Sequence, residues 1–185
     1  WEKAFPQVFA NGGFDAVIGN PPWISLSGKF GTDLYSNNEI QHLIEKFLGN
    51  TYMPNMYEYF VSQSISLTND FGFFSFIVPD RLGFNKQFIN LRKRILTEVK
   101  IHSLLYKAPF PGITADTLIF VFQKYKDPLP NPVKISEFNK DVIIQNQRDI
   151  LNNDKHLFMY FENQETFSLV LDSSIKCNSD FLRIP

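Results

Sequence analysis

Phe14-Asp15-Ala16-Val17-Ile18-Gly19-Asn20-Pro21-Pro22-Trp23-Ile24 is the stretch around which the chain is organised. Its first half predicts a strand: Ala16, Val17 and Ile18 form a short apolar run of the kind buried on both faces of a sheet. The second half cannot continue it. Gly19 frees the backbone, and Pro21 and Pro22 remove two N–H donors and fix φ twice. A buried strand therefore ends in a stiff polar loop with an aromatic, Trp23, near its tip. In open α/β sheets, ligands bind beyond the carboxyl ends of the strands.

The loop offers two acceptors side by side, the Asn20 side-chain carbonyl and the Pro21 backbone carbonyl. That pair suits a flat –NH₂ group, each acceptor taking one hydrogen. An aryl amine is a poor nucleophile because its lone pair is delocalised into the ring. Holding both hydrogens in a fixed geometry favours a pyramidal nitrogen and frees the lone pair. Trp23 adds a flat face on which the ring can stack, worth about 1–3 kcal/mol per base. No strong base is needed.

Asn20-Pro21-Pro22-Trp23 after a hydrophobic strand resembles motif IV of the amino-group DNA methyltransferases, in the form associated with N6 of adenine. The approach, Trp1-Glu2-Lys3-Ala4-Phe5-Pro6, then Val8-Phe9 and Gly12-Gly13-Phe14-Asp15, resembles the type IIG restriction–modification enzymes. The tetrapeptide also occurs in glutamine and RNA-base methyltransferases. Those alternatives stay open, as does a docking segment without activity of its own.

Composition sets bounds. The chain has 185 residues, enough for about one domain. Its 44% hydrophobic content suffices for a core, and phenylalanine is abundant at 20 residues. A net charge of −1 gives no global basic signature, so any DNA contact must be local. One cysteine, Cys177, excludes an internal disulfide, and the three histidines lack metal-site spacing. No apolar run is long enough to span a membrane, and the default location is the cytoplasm.

Along the chain, 24–36 reads as a loop and 37–48 as a helix that Gly49 can stop. A second helix is predicted over 56–69, with Asn55 as N-cap and Tyr57, Phe60, Val61, Ser64, Ile65 and Thr68 on or beside one face. Residues 72–79 form a strand. The spacing of Phe84, Phe88, Leu91, Ile95 and Val99 predicts a helix over 84–99. Arg92-Lys93-Arg94 reads as a solvated face or a phosphate contact. Two strands, 101–106 and 117–123, flank a turn at Pro109-Phe110-Pro111-Gly112, so they pair antiparallel. Three prolines mark 127–132 as a linker. Beyond it lie a strand at 133–138, a polar segment with a short helix at 141–153, a strand at 157–161 and a helix at 163–172. Asp80 and Glu98-Val99-Lys100 spell a nuclease-like pattern, but a helix separates them.

The resemblance implies the second half of a class I S-adenosylmethionine-dependent methyltransferase domain, parallel strands plus an antiparallel terminal hairpin. Residues 1–126 would be catalytic, and 127–185 would lead into a target-recognition region. It implies roles for Asn20, Pro21, Pro22 and Trp23 at the reacting amine, with Phe110 packing on a flipped base opposite Trp23. Asn20 and Pro22, with Met56 and Tyr57 at the start of the second helix, would meet the cofactor; for Met56 and Tyr57 core packing is the alternative. The glycine-rich cofactor turn is not found: Ser27-Gly28-Lys29-Phe30-Gly31 follows a loop and reads as a flexible turn. The chain is therefore expected to be a fragment, inactive by itself. The partner would be double-stranded DNA. The exposed edge of strand 14–19 would need a cover, a homodimer or another partner.

Overall fold

In the computed structural model, which describes residues 1–27 and 33–160, β1 (Phe14–Gly19) pairs parallel with β2 (Thr68–Pro79). β2 pairs antiparallel with β4 (Thr117–Lys124), and β4 antiparallel with β3 (Val99–Tyr106). β3 pairs parallel with β5 (Pro132–Glu137), and β5 antiparallel with β6 (Ile143–Asn146). The sheet order is β1-β2-β4-β3-β5-β6. β1, β2 and β3 thus run in one direction. Their carboxyl ends and the amino end of β4 share one end of the sheet, which is where the site assembles.

The helices are α1 (Pro6–Ala10), α2 (Asn37–Phe47), α3 (Met56–Leu67), α4 (Ile89–Glu98) and α5 (Gln147–Asn152). α3 and α4 close one face of the sheet. Tyr57, Val61, Ile65, Leu91 and Ile95 join Phe74, Phe76, Val78, Phe120 and Phe122 in one core. Each fully buried large apolar side chain contributes about 1.5–3 kcal/mol, so this face carries most of the packing energy. A smaller cluster, Leu26, Ile40, Met56 and Tyr59, ties the segment after Trp23 to α2 and α3. Ser36 and Glu39 form a capping box that starts α2.

Several expectations are corrected. β1 is not buried on both faces: Ala16 is exposed and Ile18 is 83% exposed. Only β2 pairs with it, and among the described residues nothing covers the face that carries Ile18. The predicted helix over 84–99 begins only at Ile89. Two 3-10 turns precede it, Asp80–Gly83 and Lys86–Phe88, the second capped by the Asn85 side chain. α3 stops at Leu67 and β2 begins at once, its extra residues bulging between the pairs Phe14–Thr68 and Ala16–Phe73. Phe60, placed on the apolar face, is 44% exposed.

Arg92 is on neither a solvated face nor a phosphate. It is 1% exposed and donates to the carbonyls of Leu82, Asn85, Lys155 and His156. Residues 157–160 form no strand, although Phe158 is buried and its N–H donates to Gly83 O at 2.8 Å. The helix expected at 163–172 lies outside the described residues. The proline-rich stretch does not act as a linker between packing units. Val133, Ile135, Ile150 and Phe158 belong to the main core, and Asn131 is buried, donating to Ile101 O and Gln147 Oε1. The polar segment at 141–153 holds a strand, β6, as well as α5.

Candidate active site

The β1–β2 ladder ends at the pair Gly19–Phe76, because Pro21 and Pro22 have no N–H to extend it. A side chain at Gly19 would press against the Phe76 ring, its Cβ 3.3 Å away. The next β2 carbonyl along, that of Ile77, takes a different donor: Trp23 Nε1 at 3.3 Å. The indole therefore continues what the prolines interrupt, and the loop folds back over the end of β2. Pro21 is buried beneath it, while Asn20 and Pro22 are exposed.

Phe110 comes from the connection between β3 and β4. That loop is closed by Lys107 N donating to Thr117 O at 2.8 Å and Thr117 Oγ1 donating to Ala108 O at 2.7 Å. Its half-buried ring lies 6.0 Å from that of Trp23, the planes tilted by 32°. The fold brings together the loop after β1 and the β3–β4 connection, two segments remote in sequence.

Met56 and Tyr57 sit inside the protein, 7% and 3% exposed. Met56 packs with Leu26 and Tyr59, and Tyr57 against the Phe88 ring at 5.5 Å. Packing is the role their surroundings describe.

Asp80 follows β2 at the same end of the sheet. Its N–H donates to Asp116 O at 3.0 Å, and its carboxyl is pushed up to about 6 by burial and then by the neighbouring Asp116 charge. Sequence reasoning considered Asp80 only in the nuclease-like pattern. Its one usable signal was its place immediately after a strand ending in proline. That nuclease pattern does not assemble. Glu98 lies just before β3, at the far end of the sheet from Asp80, roughly 25 Å away at about 3.3 Å per strand residue. Glu98 instead pairs with Arg94 at 3.0 Å. Among the described residues no cluster of metal-ligating side chains occurs, and no helix is long and apolar enough to cross a membrane. The turn at 28–31 lies outside the described residues.

This sheet, with its loop after β1 and its antiparallel β3–β4 pair, has the fold of a class I S-adenosylmethionine-dependent methyltransferase. It superposes on such an enzyme from Listeria monocytogenes with a TM-score of 0.53 at 19% identity, over 70% of this chain and 38% of that one. It superposes on the type IIG restriction endonuclease BpuSI with a TM-score of 0.57 at 16% identity, over 77% and 20%. Residues 1–109 match the Eco57I restriction-modification methylase family, and the chain belongs to that family. A curated relative from Methanocaldococcus jannaschii, described as a type II restriction enzyme and methyltransferase, is 26% identical over 169 residues. That match covers 84% of this chain, which spans 13% of the relative's length.

Proposed function

We propose that the full-length protein moves a methyl group to N6 of an adenine in double-stranded DNA, the base being turned out of the duplex. The observation that carries this reading is the Asn20–Trp23 loop at the carboxyl end of β1, its indole anchored on Ile77 and facing Phe110. A DNA partner is supported by a structural neighbour, DrdV, described in complex with DNA, at a TM-score of 0.51.

Asn20 Oδ1 and the Pro21 carbonyl accept the two amine hydrogens and orient the nitrogen lone pair. Pro22 keeps the loop stiff, so little reorganisation accompanies the step. Trp23 and Phe110 hold the ring. S-adenosylmethionine, implied by fold and family, supplies an electrophilic methyl group when bound. Asn20 and Pro22, both exposed, would meet it at the reacting end, while Met56 and Tyr57 would shape the pocket from behind by packing. Residues 127–185 would lead toward target recognition, although 132–146 complete the same sheet.

Duplex DNA and labelled S-adenosylmethionine test the reading, with the product digested to nucleosides. N6-methyladenine is expected; N4-methylcytosine, or label on protein, overturns it. Asn20→Ala should abolish transfer while DNA affinity stays within a few fold, because Asn20 acts on the amine and phosphate contacts dominate affinity.

A further inference from the structure

We propose that Glu58 is a positioning residue, holding from behind the turn that braces the Asn20–Trp23 loop. The role rests on reading that loop as the place of methyl transfer.

Glu58 is the third residue of α3 and is 3% exposed. Its Oε1 accepts from the backbone N–H of Asn50 at 3.0 Å. The backbone amide of Asn55, the residue before α3, also favours its carboxylate. The bond to Asn50 ties the start of the 50–55 turn to the first turn of α3. The turn is stiffened internally by Tyr52 N donating to Asn50 Oδ1 at 2.9 Å and Asn55 Nδ2 to Met53 O at 2.7 Å.

On its other side the turn grips the residues that follow Trp23. Leu26 N donates to Pro54 O at 2.8 Å, Met56 N donates to Ile24 O at 2.9 Å, and Ser25 bridges Asn55. Hydrogen bonds alternating with single covalent steps lead from Glu58 through 50–56 to Ile24, whose neighbour is Trp23. The loop has two supports: the Trp23–Ile77 bond in front and this brace behind.

A buried carboxyl is costly, and an apolar residue would fill the position without that cost. What the carboxyl adds is an acceptor for the turn amides. Its second oxygen, Oε2, is buried without a hydrogen-bond partner. Glu58 lines a cavity of about 720 Å³ between α2, α3 and α4. The charged groups on that cavity are Lys46 from α2 and Lys93, Arg94 and Glu98 from α4; Tyr57 and Tyr59 flank Glu58 on α3. Arg94 is engaged by Glu98. Burial pushes the carboxyl up to about 7, against the pull of the two amides. The ionised form grips an amide about twice as strongly as the neutral one. Burial outweighs that gain, so the closed brace prefers the protonated carboxyl and loosens as pH rises through neutrality.

The test uses the full-length protein. Single-turnover methyl transfer is followed across neutral pH for wild type, Glu58→Gln and Glu58→Ala, alongside amide exchange at Leu26 and Met56. Wild type is expected to slow about fivefold as pH rises, with a midpoint near 7 and DNA affinity unchanged. Glu58→Gln should stay flat at the acid-limb rate, and Glu58→Ala should speed exchange at Leu26 by about tenfold or more, leaving central sheet amides unchanged. An equal pH step in Glu58→Gln, or unchanged Leu26 exchange in Glu58→Ala, overturns the proposal. If a variant does not fold, exchange in wild type decides: Leu26 protection, corrected for intrinsic rate, must fall above neutrality relative to β4. If wild type transfers no methyl group at any pH, the reading of the loop fails, while the exchange data still judge the brace.

Discussion

The rings of Trp23 and Phe110 lie 6.0 Å apart and tilted by 32°, nearer than a base between them allows. Two stacked layers at van der Waals separation need about 7–8 Å. A flat ring placed between them would require that separation to widen by about an ångström or two. Trp23 is tethered to Ile77, whereas Phe110 lies on a turn containing Gly112 at φ 79°.

The proposed base capture by Trp23 and Phe110 is open to a direct test. With 2-aminopurine in place of the target adenine, fluorescence should rise on binding as the base leaves its stack. Trp23→Ala and Phe110→Ala should each weaken capture by about 1–3 kcal/mol, the worth of one stacking contact. An unchanged signal in both variants would show that the pair does not hold the base.

Arg92 joins the 3-10 turns after β2 to the segment at 155–156 through four carbonyls. Burial lowers its guanidinium to about 10, which leaves it charged at neutral pH. Arg92→Met keeps the bulk and strands the acceptors, each costing about 1–3 kcal/mol when buried and unpaired. After relaxation the loss should be about 3–5 kcal/mol, read as a lower urea midpoint. A shift below about 1 kcal/mol, the worth of an ordinary hydrogen bond, would place those carbonyls in water.

Stability should fall as pH rises from about 4.5 to 7. Glu58 ionises near 4.5 when unfolded but near 7 when folded, so across that window the unfolded chain binds fewer protons. Unfolding becomes easier with each step, and the loss is complete above 7. Asp80, raised from 3.8 to about 6, adds a change of the same sign over its own window. Glu58→Gln should remove the upper part of the slope, about 3 kcal/mol for a shift of this size. Parallel pH curves for the two proteins would refute the assignment.

Isothermal calorimetry of the 185-residue chain with S-adenosylmethionine should show no micromolar binding. Asn20 and Pro22 offer one exposed edge, Met56 and Tyr57 are enclosed, and no strand-to-helix turn among the described residues is glycine-rich. A micromolar dissociation constant would mean that these residues suffice.

The sequence by itself determined the elements whose chemistry is local. Two prolines after an apolar run stop a strand wherever it lies in the fold, because the missing N–H groups are a property of the residues. The short Pro109–Gly112 turn likewise forces 101–106 and 117–123 to pair antiparallel. What only the tertiary structure decided depends on who stands beside whom. Ile18 reads as core but is exposed, since burial belongs to the sheet's neighbours and not to the residue. Arg92 reads as a surface charge but is enclosed, since four remote carbonyls converge on it. Residues 132–146 follow two prolines and begin at a third yet extend the same sheet, because Lys134 and Ile135 find backbone partners in Ser103 and Leu104. Trp23 and Phe110 meet because β1 and β3 run in the same direction, which brings loops remote in sequence to one end of the sheet.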